Sequence, residues 1–139
     1  MQKIIILISI VFALFIARII FLADTGGDSI FFDLVKALPY GDKIGHLCLF
    51  GCLTLLLNWA ADFRVFKFSR LPVYYGALFV SVFVVLEELS QGFFPTRTLD
   101  ITDLMADAVG ITLFSFLSYG IHKYKLHRPQ KPAIRKINQ

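Results

Sequence analysis

The stretch KIIILISIVFALFIARIIFLA, Lys3 to Ala23, decides the fold class of this chain, because only Lys3, Ser9 and Arg18 interrupt its apolar side chains. An α-helix needs about 20 mostly apolar residues to cross the hydrocarbon core of a bilayer. The stretch therefore predicts a transmembrane helix. A signal peptide is the alternative, but the apolar run is long for one and no small-residue cleavage site follows it.

Three further apolar runs follow the first, at Ile44–Ala61, Pro72–Leu89 and Ile101–Ile121. Pro72 suits the first position of a helix, where a missing N–H costs nothing. The pattern predicts an all-α integral membrane bundle of four transmembrane helices over residues 1–122, followed by a basic cytoplasmic tail over residues 123–139.

The composition supports a membrane protein and argues against a nucleic-acid partner. The chain is 57% hydrophobic and only 17% charged, whereas soluble domains average about 45–50% and about 25%. The net charge is +4, but the basic residues lie in short segments between apolar runs. The expected partner is therefore the lipid bilayer. Cys48 and Cys52, one helical turn apart, are interpreted as small apolar residues, because a bridge within a helix has poor geometry.

The distribution of basic residues predicts the orientation. Cytoplasmic segments of membrane proteins carry an excess of Lys and Arg. When the segments are assigned to alternate sides, ten basic residues fall on the side of both termini and three, Lys36, Lys43 and Arg97, on the other. Both termini are therefore predicted to be cytoplasmic, with the basic tail near anionic lipid.

A short amphipathic segment separates the first two spans. Apolar residues from Ile30 to Leu38 fall on one helical face, and Asp28 or Ser29 can cap the start. The segment is too short to cross a bilayer. It predicts a helix that lies in the membrane interface.

Polar residues of four spans should meet at the outer end of the bundle. Asp100, Asp103 and Asp107 form one helical stripe. A carboxylate at mid-depth costs roughly 2.5–3.5 kcal/mol, so Asp107 should face the interior. Asp100 has a second interpretation, as a helix cap, and the spacing leaves open whether Glu87 or Glu88 faces inward. The central site candidates are His46, Glu88, Asp103 and Asp107; further ligand-binding candidates are Arg18, Asp42, Lys43, Gln91, Arg97 and Asp100.

Three segments resemble the VanZ-like family: DKIGH at 42–46, EELSQ at 87–91 and RTLDITDLMADAVG at 97–110. The resemblance covers about residues 42–119. Glu88 matches the glutamate of the family pattern, whereas Asp107 stands where the family most often has Asn. The resemblance implies a small multispanning protein of the bacterial cytoplasmic membrane, in a family whose founding member is linked to low-level resistance to the glycopeptide teicoplanin. It implies no particular reaction.

Two functional hypotheses follow. In the first, a non-catalytic envelope protein binds a polar or phosphate-bearing component, with Arg18, Lys43 and Arg97 holding the phosphate. In the second, a membrane-embedded hydrolase or transferase acts on a lipid-linked substrate, using the four central candidates as bases or as ligands of a divalent metal. No zinc-protease, nucleophile-elbow or phosphate-loop motif is present. An ion- or proton-coupled carrier is a third hypothesis. The sequence does not decide whether the protein is an enzyme or whether it needs a metal. It also identifies neither the ligand nor the oligomeric state.

Overall fold

The computed structural model describes residues 1–68 and 71–127, and this part of the chain is mostly helical. The prediction of a predominantly helical fold is therefore confirmed, whereas a short β-hairpin departs from the all-α prediction. Its elements, in chain order, are α1 (Gln2–Thr25), α2 (Ile30–Lys36), α3 (Gly41–Ala60), β1 (Val65–Phe68), β2 (Leu71–Tyr74), α4 (Tyr75–Gln91) and α5 (Ile101–His127).

The predicted element between the first two spans is a helix, α2, and the side chain of Ser29 accepts a hydrogen bond from the backbone N–H of Phe31. Helix α5 continues to His127, so the first five residues of the predicted tail are helical. The rest of that tail, residues 128–139, lies outside the described residues. Cys48 and Cys52 are both free thiols.

The prediction that Pro72 starts a helix is wrong. Strands β1 and β2 form an antiparallel hairpin in which Pro72 pairs with Lys67, and α4 begins only at Tyr75. The β-branched and aromatic residues of both strands favour an extended backbone. A two-stranded sheet has only edge strands, where the missing N–H of proline is tolerated.

Three of the described helices, α1, α3 and α5, are long and apolar enough to cross a membrane. Helix α4 has 17 residues and is about 26 Å long at 1.5 Å per residue. That length is at the short limit of about 17–25 residues for a membrane-spanning helix.

Helix α3 lies at the centre and packs against α1, α4 and α5. The two ends of the bundle are marked by contacts between distant segments. At one end, the amide of Gln2 donates to the carbonyl oxygens of Trp59 and Ala60, at 3.0 and 2.8 Å. We call this the hairpin end, because β1 and β2 follow α3 there. At the other, the cluster end, the hydroxyl of Thr96 donates to the carbonyl oxygen of Asp24 at 2.7 Å.

The apolar core lies between these ends. Its buried side chains come from every long helix and include Ile16, Phe50, Leu53, Val80, Val84 and Ile111.

Gly110 sets the distance between α3 and α5. A Cβ atom at this position would lie 2.4 Å from the carbonyl oxygen of Leu47. No side chain can be accommodated there without moving one helix backbone. The close approach brings Asp107, one turn earlier on α5, against His46 on α3.

We expect Gly110→Ala to destabilise the protein by about 1–3 kcal/mol, because overpacking forces the two helices apart. Gly120→Ala is the matched control in the same helix, since nothing lies within 4 Å of an added Cβ. It should be neutral or stabilising by up to about 1 kcal/mol through helix propensity. Equilibrium unfolding in detergent measures both, and equal effects would contradict this packing.

Candidate functional site

The ammonium group of Lys43, in the first turn of α3, lies among three carboxylates at the cluster end. Its Nζ is 2.7 Å from Oδ2 of Asp100, 2.5 Å from Oδ1 of Asp103 and 3.4 Å from Oδ2 of Asp42. The lysine therefore joins the start of α3 to the start of α5 electrostatically.

Asp100 caps α5 and also belongs to this ion-pair network. Its Oδ1 accepts hydrogen bonds from the backbone N–H and the hydroxyl of Thr102, at 2.8 and 2.7 Å. Its own backbone N–H donates to Oε1 of Glu88. The ammonium of Lys43 and the donors of Thr102 hold the pKa of the Asp100 carboxyl well below its ordinary value of 3.8.

This lowered pKa predicts part of the acid sensitivity of the fold. The unfolded chain takes up the Asp100 proton at a higher pH than the folded chain does, so the contribution of this group is lost as the pH falls below 3.8. In Asp100→Asn the thermal midpoint should be lower at neutral pH and decline less steeply in acid. The exposed Asp33→Asn is the control and should follow the wild type; an Asp100→Asn profile parallel to the wild type would contradict the linkage.

His46 and Asp107 form a second pair across the same helices. Asp107 is completely buried, and its two carboxylate oxygens lie 3.1 and 3.3 Å from Nδ1 of His46. The other ring nitrogen, Nε2, lies 3.9 Å from Oδ2 of Asp103. Asp42 and His46 are four residues apart on α3, as Asp103 and Asp107 are on α5. Two facing helical pairs therefore build this part of the site.

Both glutamates of the EELSQ segment are buried, at 7% exposure for Glu87 and 3% for Glu88. The amide nitrogen of Gln91 donates to both carboxylates, at 3.1 Å to Oε2 of Glu87 and 2.9 Å to Oε2 of Glu88. Arg97 lies 3.4 Å from Oε1 of Glu87. Glu88 supports the start of α5 through Asp100, whereas Glu87 extends toward Arg97.

Arg18 is the one candidate that the structure does not bring to the others. Its side chain is exposed, while its neighbours Ile16 and Ile19 are buried. In a helix, residues two apart point about 200° from one another, so Arg18 faces away from the bundle. The remaining sequence candidates lie together at the cluster end, with Glu87 added to them.

Two cavities open at this cluster. The larger is an open cleft of about 710 Å³ between the loop after α1, α2 and the starts of α3 and α5. The smaller, about 80 Å³, lies beside α2. Its lining includes the polar residues His46, Glu87 and Arg97 and the α2 residues Phe31 and Val35. Polar residues that line the larger cleft include Asp28, Lys36, Asp42, Lys43, Gln91, Arg97 and Asp103.

By formal charge, the carboxylates of the cluster outnumber its cationic side chains. Only Lys43 and Arg97 have a fixed positive charge among its side chains, and both are paired with carboxylates. His46 adds a positive charge only when protonated. The carboxylates are those of Asp42, Glu87, Glu88, Asp100, Asp103 and Asp107. Such an excess favours the binding of cations and hydrogen-bond donors over that of anions.

A sequence comparison places the chain beside a protein of fission yeast. The two are 31% identical over 119 residues, which cover 85% of this chain and 68% of the Schizosaccharomyces pombe protein, whose name is Uncharacterized protein C11E3.10. The chain belongs to the family of this yeast protein. No protein-family model and no solved structure matches the chain. The name of the yeast relative states no activity, so the VanZ-like resemblance stays a prediction and the chemistry of the cluster carries the functional argument.

Proposed function

We propose that this chain is a four-span membrane protein with both termini in the cytoplasm. We propose further that its cleft at the cluster end binds the polar headgroup of a lipid or lipid-linked component. The observation that carries the proposal is the position of a charged, open cleft at one end of a bundle of apolar helices.

The path of α4 supports a fourth span. Helix α4 begins beside the hairpin, where the backbone N–H of Tyr75 donates to the carbonyl oxygen of Arg64. It ends at Gln91, whose side chain lies in the polar cluster. It therefore runs from the hairpin end to the cluster end. Helices α3 and α5 run between the same two ends in the opposite direction. A bilayer that α3 and α5 cross would be crossed by α4 as well.

The charges at the two ends support the orientation. Basic residues predominate at the hairpin end, where the described part of the chain has Lys3, Arg64, Lys67, Lys123 and Lys125. The cluster end has fewer. Under the positive-inside rule the hairpin end faces the cytoplasm, and the cleft opens on the other side of the membrane.

The chemistry of the cleft favours a headgroup that carries hydrogen-bond donors beside its phosphate. Arg18 faces away, and the cationic groups of Lys43 and Arg97 already pair with carboxylates, so the expected three-residue phosphate clamp has little support. Hydroxyl or ammonium groups of a headgroup can donate to the carboxylates, while Arg97 remains within reach of a phosphate oxygen. Helix α2, with Ile30 and Leu34 exposed, would then lie in the interface beside the bound headgroup.

Titration with short-chain lipids tests this proposal. We expect the detergent-purified protein to bind dioctanoyl phosphatidylethanolamine or phosphatidylglycerol more tightly than dioctanoyl phosphatidic acid, which lacks the additional donors. Loss of a charge-assisted hydrogen bond, worth about 1.5–3 kcal/mol, should weaken binding about 10–100-fold in Arg97→Gln and Asp103→Asn.

Arg64→Gln is the matched control, because Arg64 lines a separate cavity at the hairpin end. It should bind these lipids as the wild type does. Equal affinity in all three variants, or tightest binding of phosphatidic acid, would contradict a donor-bearing headgroup in this cleft.

The His46–Asp107 pair favours an enzyme as the second candidate. A buried carboxylate that orients one ring nitrogen leaves the other nitrogen available as a general base. Turnover of a lipid-linked substrate that is lost in His46→Gln, with the fold retained, would favour this enzyme over a binder. The bacterial membrane, the link to teicoplanin resistance and the carrier hypothesis stay predictions. Since the relative is a yeast protein, the proposal uses headgroup chemistry that requires no particular cell wall.

A further inference from the structure

Asp42, His46 and Asp103 each offer one ligand atom, and these three atoms lie within 4.8 Å of one another. We propose that they bind a divalent transition-metal ion at the cluster end. Two of the ligands come from one turn of α3, and the third comes from the facing turn of α5. The proposal concerns the ion alone and does not depend on the binding of a headgroup.

The environment of His46 is that of a metal ligand. A metal-binding histidine usually donates its second ring N–H to a carboxylate, which fixes the tautomer and the ring orientation. Asp107, completely buried, occupies that position at 3.1 Å from Nδ1. With the proton held on Nδ1, Nε2 is the nitrogen that can bind a metal, and it lies 3.9 Å from Oδ2 of Asp103. Asp107 is then a positioning residue for His46.

Asp103 is buried, with its side chain 8% exposed, and a buried carboxylate normally has partners for both of its oxygens. Its Oδ1 is paired with the ammonium group of Lys43 at 2.5 Å. The other oxygen, Oδ2, receives no hydrogen bond from the described residues and lies 3.9 Å from Nε2 of His46. Two ligands at about 2.0–2.2 Å from one ion are at most about 4.4 Å apart, so a shared ion fits this gap.

Lys43 does not fill the proposed site. Its ammonium group contacts Oδ1 of Asp103 and Oδ2 of Asp42, which leaves Oδ2 of Asp103 on the side of His46. A divalent ion there would reduce the excess negative charge that Lys43 and Arg97 leave uncompensated. The ion has access from solvent, because Asp42 and Asp103 both line the large cleft.

The donor set restricts the identity of the ion. One imidazole nitrogen and two carboxylate oxygens suit Zn²⁺ or Mn²⁺, whereas Mg²⁺ and Ca²⁺ favour sites made of oxygen alone. Three protein ligands leave a coordination position open to water or to an oxygen of a bound molecule.

Metal analysis of the tag-free, full-length protein in detergent tests the proposal. After dialysis against Zn²⁺ or Mn²⁺, we expect one ion per chain in the wild type and in Asp28→Asn, a control carboxylate in the same cleft. His46→Gln and Asp103→Asn should lose the stoichiometric ion. Asp107→Asn retains all three ligands and should bind about 10–100-fold more weakly.

X-ray absorption of the zinc-loaded wild type gives a readout that needs no variant to fold. Scattering from one imidazole and a remaining shell of oxygen would support the site. A shell with sulfur or without imidazole, less than stoichiometric wild-type binding, or a full ion in folded His46→Gln would overturn it. Lipid titration without added metal reports separately on the headgroup proposal.

Discussion

Lys43→Met is expected to destabilise the protein by about 3 kcal/mol. The substitution removes the cation that lies between Asp100 and Asp103, and it leaves the buried Asp103 without a compensating charge. Removal of one partner of a buried ion pair costs about 3–5 kcal/mol. The lower value applies because the lysine side chain is 32% exposed. Methionine retains most of the apolar stem, so the change reports on the charge.

Equilibrium unfolding in a denaturing-detergent titration at neutral pH measures this loss. Lys36→Met is the matched control, since Lys36 lines the same cleft and is exposed on α2. We expect a change within about 0.5 kcal/mol there. If the two lysine variants unfold alike, the network around Lys43 does not hold α3 and α5 together.

Asn58→Ala is expected to destabilise the protein by about 2–3 kcal/mol. The Asn58 side chain is buried, donates to the hydroxyl of Ser118 at 3.0 Å and accepts from the backbone N–H of Ala77, also at 3.0 Å. Ala77 lies in the first turn of α4, where backbone N–H groups have no partner within their own helix. Asn58 on α3 therefore caps α4 and contacts α5. Alanine would leave a buried N–H unsatisfied, which accounts for the cost.

Ser118→Ala separates the two roles of Asn58. It removes the hydrogen bond from Asn58 and the bond that the Ser118 hydroxyl donates to the carbonyl oxygen of Phe114 within α5. It keeps the cap on α4, so a smaller loss of about 1 kcal/mol is expected. The same unfolding titration compares the two variants. A Ser118→Ala loss as large as that of Asn58→Ala would contradict a larger role for the cap than for the contact with α5.

The helices and the polar stripe could be predicted because each follows from a local rule. The length of each apolar run marks a helix, and the spacing of Asp103, Asp107 and Gly110 places them on one face. The cost of a carboxylate in lipid then directs Asp107 inward. These rules need no knowledge of which helices are neighbours, and the structure has Asp107 completely buried.

The features that sequence reasoning missed depend on neighbours. Arg18 was assigned to the site by its depth in the first span, but depth does not determine which face of α1 meets the bundle. Proline is tolerated both at the start of a helix and in an edge strand, so Pro72 alone does not distinguish the two structures. Only its pairing with Lys67 does. Asn58 is a polar residue inside an apolar run, which is itself an indication of an interior partner.

The two glutamates illustrate a different limit. The spacing left open which of them faces inward, because neighbouring residues of a helix point about 100° apart. In the structure the amide of Gln91 reaches both. Glu88 then supports the start of α5 and Glu87 extends to Arg97. Because α4 packs against both α3 and α5, a wider part of its surface is buried than contact with one helix would bury. Both glutamates lie within that part.

Cysteine accessibility tests most directly the central claim that the cluster lies at the membrane face opposite both termini. In a background without Cys48 and Cys52, a membrane-impermeant maleimide should label Thr98→Cys in intact cells. It should label Lys67→Cys, in the hairpin, only after the membrane is permeabilised. The reversed pattern would place the cluster in the cytoplasm, and labelling of both positions in intact cells would contradict the passage of α4 through the membrane.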